Sequence, residues 1–320
     1  EKTLCVQDSN GKKHYEIDKE KDLFISEDIF SFKKNVNRLS ELDYLLKNVK
    51  VADLAVGSGA FLLGMLNEIV KARETLTAYL AIGMNNFQKK SFIAYGRKLY
   101  DLKVETIKNC IFACDIEPSA VDIAKLRLWL SIVIDDEITS EVNNGEFDAH
   151  TKPRQLPNLE CNIICGNSLM DKFNGNLLIS QSDLLNNTDG SSYQYSLFQS
   201  GVDNLLLKLI ELQDKLFFVK EHNEKEEIRE YIQDIYNQII LEQIGSDYSL
   251  KEAYLESVKE ASAPFILWQL YFPKVFRDNG GFDIVIGNPP YGAKLSKEEK
   301  IYYKEKYADV HMRTPDTYNY

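Results

Sequence analysis

Cysteine is scarce: Cys5, Cys110, Cys114, Cys161 and Cys165 are the only five in 320 residues. An odd, sparse set excludes a disulfide scaffold and fits a reduced cytoplasmic protein. Two pairs, Cys110–Cys114 and Cys161–Cys165, share a four-residue interval. Both segments read as strands, where such positions lie about 13 Å apart, too far for two sulfurs on one zinc. The expectation is small buried hydrophobes. Histidine is scarcer still, and His14, His150, His222 and His311 stand at no ligand spacing, so no metal is expected. No run approaches the roughly 18 apolar residues of a membrane helix. The N-terminus, Glu1-Lys2-Thr3-Leu4-Cys5, has neither a signal-type apolar stretch nor an initiator Met, and reads as the start of an excised piece. Positive charge is also short. Thirty-eight Lys and Arg against 49 Asp and Glu give a net charge of −11 and a pI near 5.0. Taken alone, that balance argues against a nucleic-acid partner.

What is present is enough apolar matter for a core, at 44% hydrophobic residues, which excludes disorder for most of the chain. Residues 1–36 are mixed and charged, with Asn10-Gly11 as a turn signal, and form a hairpin or a lead-in segment. A helix around Leu39–Leu46 precedes an apolar strand over Val49–Leu54, and a long helical pattern runs from Ala60 to about Leu80. A second strand covers Cys110–Asp115, and a helix follows from Pro118, a good first helical residue. Further strands are expected at Cys161–Cys165 and Phe282–Ile286. Short, non-alternating strands separated by helices predict an α/β fold with a parallel sheet covered on both faces.

Over a hundred residues separate the last two strands, far beyond an ordinary crossover. Gly175 to Ser200 is polar and reads as loop. Two amphipathic helices follow, carrying Leu205 to Leu216 and Ile228 to Leu241, with the polar stretch 222–227 as their turn. The expectation is a helical hairpin inserted into the sheet domain. Between 211 and 260, thirteen acidic residues stand against six basic ones. Most of the net negative charge therefore sits on solvated faces of the insertion.

Three motifs carry chemistry. Asp53-Leu54-Ala55-Val56-Gly57-Ser58-Gly59-Ala60-Phe61 runs a strand through a glycine turn into a helix, which lets backbone approach a ligand and aims free N–H groups at it. It is not the dinucleotide fingerprint, because Leu62 occupies the third glycine position, nor a phosphate-binding loop, because no Gly-Lys-Ser/Thr follows. Asp115 ends the second strand, where a carboxylate can accept both hydroxyls of a ribose. It lies much farther from Gly59 than the roughly 20 residues of nicotinamide-binding folds. As a lone motif it would equally fit a loop or capping carboxylate. Asn288-Pro289-Pro290-Tyr291 follows the last strand. Its prolines stiffen the loop and remove donors, leaving an amide oxygen, free carbonyls and an aromatic ring.

Together these motifs resemble the N6-adenine-specific DNA methyltransferases, above all those of the type IIG restriction-modification and phage-resistance (BREX-like) family. Gly57-Ser58-Gly59-Ala60-Phe61 is similar to the family's cofactor loop. Asp115-Ile116-Glu117-Pro118 with Lys125-Leu126-Arg127-Leu128-Trp129-Leu130-Ser131 resembles its second motif, and Leu156-Pro157-Asn158-Leu159 through Gly166-Asn167-Ser168-Leu169 its third. Phe265-x-x-Trp268 through Asn288-Pro289-Pro290-Tyr291 resembles the catalytic motif and its lead-in. The family often has Asp-Pro-Ala-Cys where this chain has Asp53-Leu54-Ala55-Val56, an apolar change compatible with the turn.

The resemblance implies a Rossmann-like class I methyltransferase sheet, truncated at its C-terminal side, with a helical insertion. It implies S-adenosyl-L-methionine as cofactor, held by Asp53, Gly57, Gly59, Asp115, Ile116, Asn167 and Ser168. It implies Asn288, Pro289 and Tyr291 as the catalytic set, acting on a flipped-out adenine. The domain division it implies is a lead-in over 1–36, a cofactor half over 37–170, the insertion over 171–262 and a catalytic half over 263–320. Double-stranded DNA, met through the full-length protein, would be the partner, with restriction or defence-system subunits and no membrane. The remaining strands and a target-recognition region are expected beyond Tyr320, so the piece alone is expected to be weak or inactive on DNA. Two rivals share these motifs in part: a glutamine-modifying protein methyltransferase, and a non-catalytic DNA-binding subunit that keeps only the fold. Leu62 and the distance to Asp115 place a nicotinamide oxidoreductase behind both.

Overall fold

The computed structural model describes residues 16–18, 23–25, 36–134 without 83 and 95, 156–173, 176–177, 197–259, and 263–310 without 291, 293 and 294. Along the chain, an antiparallel pair, β1 (Glu16–Asp18) and β2 (Leu23–Ile25), precedes α1 (Val36–Asn48) and β3 (Val51–Asp53). Helices α2 (Ala60–Leu80), α3 (Asn86–Ala94) and α4 (Leu99–Cys110) lead to β4 (Ile111–Asp115), followed by α5 (Pro118–Val133) and β5 (Ile163–Cys165). A second small pair, β6 (Lys172–Phe173) and β7 (Asn176–Leu177), precedes three helices, α6 (Leu197–Phe218), α7 (His222–Ile244) and α8 (Tyr248–Ser257). Two short helices, α9 (Trp268–Tyr271) and α10 (Pro273–Asn279), then β8 (Ile284–Ile286) and α11 (Lys297–Lys306) complete the order.

The chain divides into two compact units, Glu1–Val49 with Leu66–Asn109, and Lys50–Met65 with Cys110–Tyr320. The first contains a buried ion network. Arg73, only 1% exposed, reaches Asp43 at 3.3 Å and Glu105 at 2.8 Å, while Arg97 donates to Asp43 at 2.7 Å. Burial alone would raise the Asp43 pKa. The hydrogen bond from Arg97 and the charge of Arg73 outweigh it and hold the carboxyl below its ordinary value. Leu39, Ile69, Val70, Leu76 and Leu102 bury apolar surface in the same unit.

The second unit is built on a four-stranded, all-parallel sheet in the order β5-β4-β3-β8. Asp53 aligns with Ala113 and Ile286, and Asp115 with Cys165, so the C-terminal tips of the strands open on one side. Helix α5 starts at Pro118, whose missing N–H costs nothing in a first turn, and buries Val121, Ala124, Leu128 and Ile132. Phe112, Phe272 and Phe282 form an aromatic cluster joined by Val275, with Phe112 and Phe272 edge to face at 5.4 Å.

The insertion shares one core with the chain that follows it: Leu209, Leu212 and Leu216 of α6 meet Ile228, Ile232, Ile235 and Ile239 of α7, and Phe265, Leu267 and Leu270 pack into the same cluster. It is fastened to the segment before β5 by the side chains of Asn158 and Glu160, the latter paired with Arg229 and, at 3.2 Å, with Lys225 of α7. Asn158, buried, donates to the carbonyls of Leu216 at 2.6 Å and Val219 at 3.2 Å, while its own N–H goes to Phe217 O at 3.0 Å. These carbonyls belong to the end of α6, where helical partners run out. The chain returns beside β5 through a parallel bridge between Gly166 and Ala263. A Cβ on Gly166 would lie 2.9 Å from Ile266 Cγ1 and 3.1 Å from Ala263 O, so only glycine fits.

Several expectations are corrected. Cys110 ends helix α4, and Cys161 sits in the turn before β5, so neither cysteine pair lies on a single strand. Cys110 and Cys114 are fully buried, whereas Cys161 and Cys165 are only partly so. The polar stretch 222–227 is not a turn but the first turns of α7, and the link is the short 219–221 segment. A third helix, α8, joins the expected two, started by Asp247, whose side chain accepts from Leu250 N at 3.0 Å. The stretch read as loop, 175–200, holds β7 and the start of α6 at Leu197, while 175 and 178–196 lie outside the described residues, as does Asn10-Gly11. Among the described residues, the expected cover on both sheet faces is incomplete at β8, an edge strand on which Val285 is 57% exposed. Among the described residues no helix is long and apolar enough to cross a membrane.

Candidate functional site

A cavity of about 680 Å³ opens at the C-terminal tips of the sheet. Each strand delivers one wall. The tip of β3 brings Ala55 and Gly57, that of β4 brings Asp115, Ile116 and Glu117, that of β5 brings Asn167 and Ser168, and that of β8 brings Asn288, Pro289 and Pro290. Helix α11 supplies Glu299 and Tyr303 on the remaining side.

The glycine turn is held by the neighbouring strand. Val56 N donates to Cys114 O at 3.0 Å, and Gly57 N donates to Asp115 Oδ2 at 2.7 Å. Gly57 and Gly59 have φ of +50° and +80°, values that side chains rarely adopt. Gly59 also has no room, since a Cβ there would lie 3.1 Å from the Cα of Ala124 on α5. Asp115 uses its other oxygen for Glu117 N at 3.0 Å, so its carboxylate staples the turn to β4 while facing the cavity.

Asp53 and Gly59 do not line the cavity; they lie behind its wall. Asp53, 1% exposed, accepts from Ala55 N at 3.1 Å, and its Oδ1 would lie 3.5 Å from a Cβ on Gly287. Burial, with the charge of Asp115 nearby, raises its pKa to about 6 against the opposing pull of the Ala55 N–H. Asn167 accepts from Leu169 N at 3.1 Å and donates from Nδ2 to Glu299 Oε1 at 3.3 Å. Asn288 is exposed at the cavity rim. Tyr291 lies outside the described residues.

Of the ten residues the sequence singled out, seven thus converge on one cavity: Gly57, Asp115, Ile116, Asn167, Ser168, Asn288 and Pro289. Sequence reasoning missed Glu117, Glu299 and Tyr303. The start of α11 was legible as Ser296-x-x-Glu299, a capping box in which Glu299 N donates to Ser296 Oγ at 3.1 Å and Ser296 N to Glu299 Oε2 at 2.8 Å. Its folding back over the cavity was not legible. Tyr307 OH donates to Leu169 O at 3.1 Å, and both Tyr302 and Lys306 hydrogen-bond to Asp171.

A cleft at the carboxyl ends of parallel strands, with a glycine turn on one tip and a carboxylate on the next, is where open α/β sheets place their ligand sites. The Eco57I restriction-modification methylase family matches residues 109–320, well over half of the chain, and the chain belongs to that family. It is 27% identical over 314 residues to a putative type II restriction enzyme and methyltransferase of Methanocaldococcus jannaschii, a match covering 84% of this chain and 24% of that protein. It is 28% identical over 155 residues to the type II restriction enzyme and methyltransferase RM.Eco57I of Escherichia coli, covering 48% of this chain and 14% of that one. The chain therefore spans about a quarter or less of the length of these relatives. No solved structure matches.

Proposed function

We propose that the chain carries the cofactor and catalytic centre of a DNA methyltransferase of a restriction-modification system. Its fold on this reading is the Rossmann-like class I methyltransferase sheet, its cofactor S-adenosylmethionine and its target the N6 amino group of adenine. The observation that carries the reading is Asn288-Pro289-Pro290 at the β8 tip on the same cavity as the Gly57 turn and Asp115. Family membership supports it, and the volume of about 680 Å³ suits a nucleoside-sized ligand. The donor set fits as well: a carboxylate for ribose hydroxyls at Asp115, apolar Ile116 for a purine face, and amide and backbone groups at Asn167 and Ser168 for its edge. The turn at Gly57 would hold the methionine end, with Gly59 and Asp53 shaping that turn from behind the cavity wall.

When bound, S-adenosylmethionine supplies a methyl group on a positively charged sulfur. The rest falls to the chain. An adenine stacked in duplex DNA is out of reach, so it must be flipped out, at a cost of a few kcal/mol. Stacking on Tyr291 would return on the order of 1–3 kcal/mol. The amino nitrogen of adenine is a poor nucleophile because its lone pair is delocalised into the ring. Acceptors at the Asn288 amide oxygen and the Pro289 carbonyl bind its two N–H groups and favour a tetrahedral nitrogen. The catalytic work is positioning and electrostatics, with no histidine base.

On the same reading, 37–170 and 263–320 are the two halves of the methyltransferase domain, 171–262 is an insertion and 1–36 a lead-in. Double-stranded DNA is engaged through the whole protein in the cytoplasm, alongside restriction or defence-system subunits. Asn288→Ala in the full-length protein is expected to lower methyl transfer by at least about 10²–10³ while leaving S-adenosylhomocysteine binding within about threefold. Methylation at wild-type rate by that variant would remove Asn288 from the mechanism.

A further inference from the structure

The order of the strand tips lays the cavity out as a line. With neighbouring strands about 4.8 Å apart, the tips of β5, β4, β3 and β8 span roughly 14 Å. Asp115 at the β4 tip is the ribose position, and the Gly57 turn and Asn288 occupy the β3 and β8 side. That leaves the β5 tip, with Asn167, for the nucleobase. At this end Glu299 enters the cavity wall from α11.

Its carboxylate is fixed from two sides. Oε1 accepts from Asn167 Nδ2 at 3.3 Å, and Oε2 accepts from Ser296 N at 2.8 Å. Each oxygen has a second lone pair to offer. The Asn167 amide oxygen accepts from Leu169 N and keeps one lone pair, without a charge, and its amide nitrogen is turned to Glu299. The Glu299 carboxylate keeps one lone pair on each of two oxygens and carries the negative charge. The acceptor-rich group at the nucleobase end is thus Glu299, a residue outside the strand-tip motifs.

Resting on the cofactor reading above, we infer that Glu299 is a specificity-determining residue that accepts the exocyclic 6-amino group of the cofactor's adenine. A purine with a carbonyl at that position would bring one acceptor against another, so the same carboxylate selects adenine over guanine by repulsion as well as attraction.

The test compares two ligands, S-adenosylhomocysteine and its purine analogue lacking the 6-amino group, by calorimetry on the full-length protein. The wild type is expected to prefer the amino compound by at least about tenfold, the scale of a hydrogen bond to a charged group. Glu299→Ala should cut that preference about tenfold. Glu299→Gln, which retains the capping box but loses the charge, should cut it about threefold. Ser296→Ala weakens the helix start and leaves the carboxylate, so it should leave the preference unchanged. An unchanged preference in Glu299→Gln and Glu299→Ala overturns the inference while the cofactor reading stands. An equal loss in Ser296→Ala also overturns it, because the effect would then belong to the helix cap. Failure of the wild type to bind either compound would instead sink the cofactor reading, and this inference with it.

Discussion

Two buried aspartates are pulled in opposite directions by their surroundings, and their signatures in pH should differ in sign. Asp53 has lost water without gaining a cation, and its pKa rises from 3.8 to about 6. Between those values the folded chain holds a proton that the unfolded chain has released. The contribution of Asp53 is therefore complete below about pH 4 and declines as pH rises through 6. The full decline is on the order of 3 kcal/mol, at 1.36 kcal/mol for each unit of the shift. Asp53→Asn keeps an acceptor for Ala55 N and removes the charge. In urea titrations the variant should match the wild type near pH 4 and exceed it at pH 7.5 by up to about 3 kcal/mol. An equal difference at both pH values would contradict the burial argument. Asp43, held below its ordinary value by Arg97 and Arg73, contributes stability above pH 3.8 that is lost on further acidification.

Elements with a long apolar stripe or an unbroken apolar run were legible in the sequence; short helices were not, including α4 and α8, which bury only a few apolar residues each. The stripe of α2 and the apolar runs of β3, β4, β5 and β8 gave the α/β order to within a few residues. Helix α3 was unreadable because it buries no residue, so no stripe marks it. The hairpin was recognised from its Ile and Leu spacing, but its turn was misplaced because a charged run, His222 to Glu227, looks the same at a helix start as in a loop. Asn158 shows the limit of motif reading. It falls in the segment that resembles the family's third motif, yet its side chain closes the end of α6. Asn158→Ala would remove the side-chain donor from the carbonyls of Leu216 and Val219, leaving Leu216 O only its long bond from Val219 N at 3.4 Å, and a loss of about 1–3 kcal/mol in urea unfolding is expected. A loss below about 0.5 kcal/mol would mean that the clamp is dispensable.

For the whole molecule, the net charge of −11 says less about partners than it first does. The acidic excess is concentrated between 211 and 260, in the insertion, while the strand-tip cavity draws its walls from other segments. The chain covers 24% and 14% of its two relatives, so the basic surface expected of a DNA enzyme need not lie within these residues. What the chain does hold is the proposed chemistry, and that chemistry names its product. Full-length protein incubated with duplex DNA and S-adenosylmethionine labelled in its methyl group should yield DNA whose enzymatic digest carries the label in N6-methyladenine. Label appearing in a methylated cytosine or in protein glutamine, with none in N6-methyladenine, would contradict the account.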